Sequence, residues 1–499
     1  MSSPSSILLS NGTVLVHNQD EHVVPVKADV LVVGNRIAEI APGVAAPPDA
    51  VVVDCTGKII SPGFVDTHHH MWQTQLKGRH ADDLLLDYIH KGNITYDVFN
   101  PEDVFWGQLG GCMESLDGGV TMVVDHAHIN SSAAHSASAL SATEASGIRS
   151  YFCYSPIQNP HTASWSPYQF APPDLSDPGL IPAWALKQLA ELAAKQPFGD
   201  GRVRLGVSWD AFYLPKEIVV PFFHNARNLG VKLFTSHYVK NAIVGEHSVV
   251  SIADSYGVLK HDILFSHASQ ATSEDAALLT ATNSHVSSTP DTELQMAHGT
   301  PVCFRPDLYQ LSSLGVDCHS NNSGDILTQM RLALQSARGT RNALFVAQKK
   351  VPRVVQPTVE QAFNLGTIMG ARAVGLGNEI GSIKVGKLAD LVVFDARSPS
   401  MICAGEHEPV AAIVMHASVR DIETVIVDGK IRKQDGKLVP VDVGEGAEKQ
   451  VLEWAGIAEK LIQSRDRIQG VLEGMDDVGA RAAVIQTFGI NSNNVVDSV

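Results

Sequence analysis

The sequence predicts an α/β protein: a (β/α)8, TIM-like barrel carrying a small composite β-sandwich domain built from the N- and C-terminal segments. Three observations predict it. Both ends of the chain are rich in short β-like runs and hairpin turns. The middle alternates about eight such runs with Ala-rich helical stretches, and metal-type ligands stand at the ends of several of them.

Residues 28–40, ADVLVVGNRIAEI, hold two apolar runs hinged on Gly34-Asn35, a pair suited to a two-residue hairpin turn. The texture returns in GSIKVGKLADLVVFD (381–395) and VRDIETVIVDGKIRKQDGKLV (419–439), with Asp428-Gly429 and Asp435-Gly436 as further turns. Residues 1–62 plus 381–440 are therefore assigned to one β domain, 63–380 to the barrel, and 441–499 to a helical extension and polar tail. In the barrel region VTMVVDH, IRSYFCYS, VRLGVSW, VKLFTSH, DILFSH, SHVSSTP and LSSLGVDCHS follow the run before His68. IPAWALKQLAELAAKQ, with Ile181, Ala185, Leu189 and Leu192 at helical spacing, typifies the intervening helices. No Gly-rich phosphate fingerprint follows any strand, so dinucleotide binding has no support. Residues 159–182, rich in Pro and aromatics, read either as a lid over the barrel mouth or as an inert surface excursion.

Composition narrows the function classes. The 499 residues are 44% hydrophobic and 18% charged, enough apolar material for a large core. The net charge of −16 comes without long basic runs, which argues against nucleic acid or an anionic lipid surface as partner. No stretch approaches about 18 consecutive apolar residues, and residues 1–19 lack the charged and apolar regions of a signal peptide. A soluble, cytoplasmic protein acting on a small molecule, and assembled as a homo-oligomer, is the expectation. The six cysteines are scattered without a C-x-x-C pair, which fits reduced thiols rather than disulfides or a thiolate zinc site.

The 21 histidines carry the functional reading. In PGFVDTHHHMWQ (62–73) an apolar strand runs into three of them. On a strand, side chains two apart share a face, so His68 and His70 point together while His69 points away. Two imidazoles converging at the carboxyl end of a barrel strand are half of a metal site, although H-x-H alone fits a polar loop equally. His237 ends VKLFTSH, His267 ends DILFSH, and Asp317 ends SLGVD. A single histidine at such a place is usually packing; four strand ends carrying metal-type ligands in this order are hard to obtain by chance.

PGFVDTHHHMWQ, together with GSIKVGKLADLVVFD and VIVDGKI, resembles the amidohydrolase superfamily, in its branch of cytosine and guanine deaminase-like and triazine hydrolase-like enzymes. The resemblance covers the chain to about residue 440. It implies that His68, His70, His237 and Asp317 bind one divalent metal, Zn first with Fe or Mn as alternatives, and that His267 lies beside the bound water or is an extra ligand. The lysine that bridges binuclear members is missing from VRLGVSWDAF, which implies a mononuclear site. A divalent cation held by three imidazoles and a carboxylate lowers the pKa of its bound water from 15.7 toward about 7. Asp317 would take its proton and return it to the leaving group, and His267 would donate to the developing oxyanion. The expected reaction is hydrolysis of a non-peptide C–N bond in a small cyclic substrate: a cyclic amide, an amidine or a heteroaromatic amine.

One departure stands out. That branch usually has a glutamate three residues after the strand-five histidine, and SHYVKN puts Lys240 there. A lysine is a cation at its ordinary pKa near 10.4 and no carboxylate shuttle. Lys240 either binds an anionic substrate group or is a solvated loop cation; His319 and Asp291 are alternative proton carriers. Gln73 stands where the resemblance places a substrate contact, and Trp72, Trp209, Phe212 and Tyr238 could wall a pocket for a flat ring or equally cap the barrel core. His126 and His128, at the end of strand two, read as hydrogen-bonding support or pocket lining. The alternatives to hydrolysis are a metal-dependent lyase or decarboxylase acting on an anionic small molecule, and a catalytically silent scaffold.

Overall fold

The computed structural model describes residues 6–157, 161–171, 181–444 and 449–496. Eight parallel strands form one sheet in chain order: Phe64–His69, Val120–Ala127, Arg149–Tyr154, Val203–Ser208, Phe234–Tyr238, Ile263–His267, His285–Ser288 and Ser312–Leu314. They are the eight runs read from the sequence. The chain just past the eighth strand closes the ring onto the first, because the Asp317 N–H donates to the His68 carbonyl (2.8 Å) and the His70 N–H to the Asp317 carbonyl (2.9 Å). Gly315 makes this closure sterically feasible: a Cβ there would lie 2.7 Å from the His68 carbonyl oxygen and 2.8 Å from its nitrogen. Inside the ring, Thr67 Oγ1 bonds Ser287 Oγ, Ser313 Oγ and the Leu314 carbonyl.

Helices alternate with the strands and cover them. Capping boxes start two of these helices, Asn100 with Asp103 at Pro101–Asp117 and Thr272 with Asp275 at Ser273–Thr282. The helix expected from IPAWALKQLAELAAKQ spans Ala183–Lys195; Ala185 and Leu189 are buried, and Ile181 and Leu192 pack against the same core.

The two ends of the chain form one nine-stranded sheet rather than two separate ones. Its order is Lys437–Leu438, Lys430–Gln434, Ile422–Val427, Leu391–Asp395, Lys58–Pro62, Ser6–His17, Val23–Val33 and Arg36–Ala41, with Val51–Asp54 paired to Ser6–His17. The three expected hairpins are present, pairing Val33 with Arg36, Val427 with Lys430 and Gln434 with Lys437. Asp428-Gly429 and Asp435-Gly436 all have positive φ, as a primed two-residue turn demands. Ile7, Val14, Val30, Ile60, Leu391 and Ile426 from both ends share one apolar cluster. Arg149, at the start of the third barrel strand, fastens sheet to barrel: it donates to Asp390 (2.8 and 3.0 Å) and to Asp428 (2.9 Å).

Beyond residue 440, Val441–Val443 pairs with Gln450–Leu452, and helices Trp454–Leu472 and Asp477–Thr487 follow. The first helix lies on Pro101–Asp117, with Ile457 and Leu461 in the core and Ser464 Oγ donating to Asp103 (2.7 Å). Of the excursion at 159–182, the described part is a hairpin, His161–Trp165 with Tyr168–Ala171, whose Trp165 carbonyl accepts from the Asp476 N–H (2.9 Å). Residues 159–160 and 172–180 of the expected lid lie outside the described residues.

Candidate metal centre

Alternation along the strands decides what enters the barrel mouth. His68 and His70 face inward with His237, which ends the fifth strand, and with Asp317, which follows the eighth. One candidate ligand atom from each of the four lies within 4.8 Å of all the others. Asp317 Oδ1 is 3.1 Å from His68 Nε2 and 3.2 Å from His70 Nε2, and His70 Nε2 is 3.3 Å from His237 Nε2. His69 points the other way, its Nδ1 bonded to Asp66 (2.7 Å). Asp66 Oδ1 also accepts the N–H groups of His68 (3.2 Å) and Val316 (3.1 Å), so the same carboxylate anchors both halves of the cluster.

The hydrogen bonds fix which nitrogens carry protons. His70 Nδ1 bonds the His126 carbonyl (3.0 Å) and His237 Nδ1 bonds Asp210 Oδ2 (2.9 Å); both partners only accept. In the neutral rings both Nε2 atoms therefore present lone pairs, and they face each other beside a carboxylate oxygen. Such a set of electron-rich atoms repels itself unless a cation lies among them, and three imidazoles with one carboxylate form a donor set that suits a divalent cation. Burial pushes Asp317 up, but hydrogen bonds from His68 and His70 and the nearby His267 hold it well below the usual carboxylate range. Burial also drives His68 and His267 well below the usual imidazole range, keeping them neutral.

His267 borders the cluster, its ring 5.5 Å from that of His68 and 5.7 Å from that of His237. Its Nδ1 bonds Thr289 Oγ1 (2.8 Å). Both His267 (φ 71°) and Asp317 (φ 68°) sit in the left-handed region, which costs a residue with a Cβ about 1–2 kcal/mol. That strain coincides with the points where the backbone must turn to aim these side chains.

Several expected pocket residues lie elsewhere. Trp209 and Tyr238 stand one residue out of phase with the inward positions and point to the helices. Trp209 stacks on Phe222 (4.5 Å) and is fully buried with Phe212 in the outer core, and Tyr238 Oη donates to Asp275 (2.5 Å). Lys240 follows Tyr238 outward, with its Nζ 5.7 Å from the centre of that ring. His319 lies behind the first strand between His69 Nε2 (2.7 Å) and Thr74 Oγ1 (3.1 Å), because the chain leaves strand geometry at Asp317 and the period-two rule stops applying. Asp291 sits in the helix layer, its N–H donating to Gln329 (3.1 Å). Gln73 is buried, donating to Tyr88 Oη (2.6 Å) and accepting from Ser320 Oγ (3.0 Å). Trp72 is buried edge-on to Phe99 (5.0 Å) and lies 5.6 Å from His128, whose ring is 4.3 Å from that of His70.

Two residues near the centre escaped the sequence reading. Asp210 follows the fourth strand, with its side chain 46% exposed at the mouth. It accepts from His237 through Nδ1 (2.9 Å) and through the backbone N–H (2.8 Å), and from His126 Nε2 (3.0 Å). Partial burial pushes Asp210 up, yet His237 and His126 hold it well below the usual range. Glu293, fully buried, accepts the Thr289 N–H (2.8 Å) and lies 3.9 Å from His267 Nδ1; burial pushes its pKa up to about 8. Asp210 was within reach of the alternation rule, since an outward Trp209 implies an inward neighbour.

The sequence was also compared with known proteins. The family model described as Amidohydrolase family matches residues 59–202 and 234–432. The chain belongs to the amidohydrolase family. This amidohydrolase is 28% identical over 431 residues to the 5'-deoxyadenosine deaminase of Methanobrevibacter smithii, covering 84% of this chain and 91% of the relative. It is likewise 28% identical over 448 residues to the 5-methylthioadenosine/S-adenosylhomocysteine deaminase of Thermococcus onnurineus, covering 87% and 95%. An adenosine deaminase structure from Xanthomonas campestris with bound zinc superposes with a TM-score of 0.76 at 22% identity, covering 94% of this chain and 99% of that one. The zinc complex of atrazine chlorohydrolase from Arthrobacter aurescens TC1 gives 0.74 at 17%, covering 92% and 100%. These two structures share the fold. The branch read from PGFVDTHHHMWQ is the one to which these relatives belong, and the protein is a metal-dependent hydrolase of C–N bonds in small cyclic molecules.

Proposed function

We propose that this amidohydrolase is mononuclear, binds zinc through His68, His70, His237 and Asp317, and removes an amino group from a heteroaromatic ring in a nucleoside-like substrate. The observation that carries the metal assignment is the convergence of the four side chains, with two imidazole lone pairs turned toward each other. The substrate class is supported by the deaminases of 5'-deoxyadenosine and of methylthioadenosine among the relatives. When bound, the metal supplies a water activated for attack on a trigonal carbon.

The chain's own groups do the rest. Asp317 accepts the proton of the attacking water and passes it to the departing nitrogen. His267 Nδ1 shares a hydrogen bond with the Thr289 hydroxyl, which can either donate or accept; in the tautomer protonated on Nε2, His267 donates to the charge that develops on the substrate. Hydrolysis is favoured over a lyase step by the deaminase relatives. The test combines metal analysis with ammonia release from a panel of adenosine-type and triazine-type amines. One equivalent of zinc, loss of metal and activity together in H68A and H70A, and a fall of several orders of magnitude in turnover for a folded D317N are expected. Full metal occupancy in both histidine variants, or carbon dioxide in place of ammonia, would overturn the reading.

The same reading keeps 1–62 with 381–440 as a β unit, 63–380 as the barrel and 441–499 as an extension; the pairing of Leu391 with Pro62 supports it. It places the protein in the cytoplasm, where its six free thiols would stay reduced. No helix among the described residues is long and apolar enough to cross a membrane. It also makes the protein a homo-oligomer. Helix Ile326–Ala347 runs on well past its last buried residue, Leu334, and Leu344, Val346 and Val351 are 64%, 71% and 87% exposed. Arg331, Arg338, Arg341, Lys349, Lys350 and Arg353 lie in this stretch and no acid does, while the rest of the chain is strongly acidic, which suits docking on a second copy.

A further inference from the structure

Resting on the metal assignment above, we infer that Asp210 and His126 are positioning residues for that metal: together they set the tautomer and the aim of His237. Asp210 is the only carboxylate among the described residues that hydrogen-bonds the far nitrogen of any of the three imidazole ligands. Its Oδ2 accepts from His237 Nδ1 at 2.9 Å and from His126 Nε2 at 3.0 Å, and its Oδ1 accepts the His237 N–H at 2.8 Å. The carboxylate therefore grips His237 by ring and backbone at once, which locks the ring plane and keeps the proton on Nδ1.

His126 completes the device. Its Nε2 donates to the Asp210 carboxylate, which only accepts, so in the neutral ring Nδ1 (3.0 Å from Thr235 Oγ1) accepts from that hydroxyl, and the imidazole steadies the exposed Asp210 from the barrel interior. The chain of contacts Thr235–His126–Asp210–His237 ties the second, fourth and fifth strands to one ligand. A carboxylate holding the outer N–H of a metal-bound imidazole orients it and raises its basicity, and losing such a partner typically weakens metal binding by about 10–100-fold. The other two histidine ligands lack this support: His70 Nδ1 donates to a backbone carbonyl, and His68 Nδ1 is buried with no partner among the described residues. His237 is also the most exposed of the three, at 30% of its side chain, and so the one that most needs holding.

Zinc affinity is measured by competition with a chromogenic chelator for wild type, D210N, D210E and T235V, alongside the Co2+ d–d spectrum of each and the thermal midpoint of each apo-protein. The expected result is a roughly 10–100-fold weaker zinc Kd and a shifted Co2+ band in D210N, substantial recovery in D210E, and a smaller loss in T235V, with little change in the apo midpoints. D210N within about twofold of wild type with an unchanged Co2+ spectrum would overturn the assignment. So would two metal equivalents in wild type and one in D210N, since Asp210, His126 and His237 would then be a second site. Should wild type itself bind no zinc, the failure is that of the metal assignment. If D210N does not fold, T235V decides, because it removes one hydroxyl at nearly constant volume and still predicts a measurable loss.

Discussion

Replacing Arg149 by Met should loosen the joint between barrel and sheet. The guanidinium is 5% exposed, and it makes three charge-assisted hydrogen bonds, at 2.8 and 3.0 Å to Asp390 and 2.9 Å to Asp428, carboxylates that are 1% and 10% exposed. At an effective dielectric near 20, a pair of unit charges about 4 Å apart is worth about 4 kcal/mol. Breaking a buried pair by removing one partner costs about 3–5 kcal/mol, because the charge left behind has no compensation. Here two carboxylates are stranded, although Asp390 Oδ1 keeps the Asp428 N–H (2.8 Å) and Asp428 Oδ1 keeps the Asn35 amide (3.2 Å). We therefore expect about 4 kcal/mol, or a urea midpoint lowered by about 1.3 M at a slope near 3 kcal/mol/M. The triple variant R149M/D390N/D428N should recover at least half of the loss, since it removes the charges along with their partner. A midpoint for R149M within about 0.2 M of wild type, or no recovery in the triple variant, would refute the reasoning.

Two more outcomes can be checked. Glu293 has a folded pKa of about 8 against an ordinary 4.5, chiefly through burial, so the folded apo-protein holds a proton that the unfolded chain releases. Stability should then fall as pH rises from about 4.5 to 8, by up to about 1.4 kcal/mol per unit, and E293Q should flatten that slope; parallel wild-type and variant profiles in apo-protein melts would rule it out. Lys240 lies over the ring of Tyr238, whose hydroxyl bonds Asp275 in the helix layer, so K240A should leave kcat/KM within about threefold of wild type. A large rise in KM alone would instead return Lys240 to the binding of substrate.

Much of the architecture was legible because it depends on local periodicity. Short apolar runs ending in His or Asp mark the carboxyl ends of barrel strands, and the Asp-Gly pairs at 428 and 435 dictate their turns. The opposite facing of His69 from His68 and His70 follows from the same periodicity. What sequence could not settle was orientation beyond a strand's end. Trp209 and Tyr238 looked like pocket walls because they adjoin inward residues, yet adjacency on a strand means opposite faces. His319 fell on the wrong side because positive φ at Asp317 resets the alternation. Asp210 and Glu293 stayed hidden because their importance lies in partners more than 20 residues away, His126 and His237 for one and His267 for the other.

The strand that carries His68 and His70 into the barrel grows directly out of Lys58–Pro62, whose partner Leu391–Asp395 is made some 330 residues later. At ribosomal speeds of about 5–20 residues per second, that partner emerges roughly 15–65 seconds after the first. Throughout that interval the nascent chain displays Lys58–Pro62 without one of its two neighbours, an open strand edge of the kind that templates aggregation.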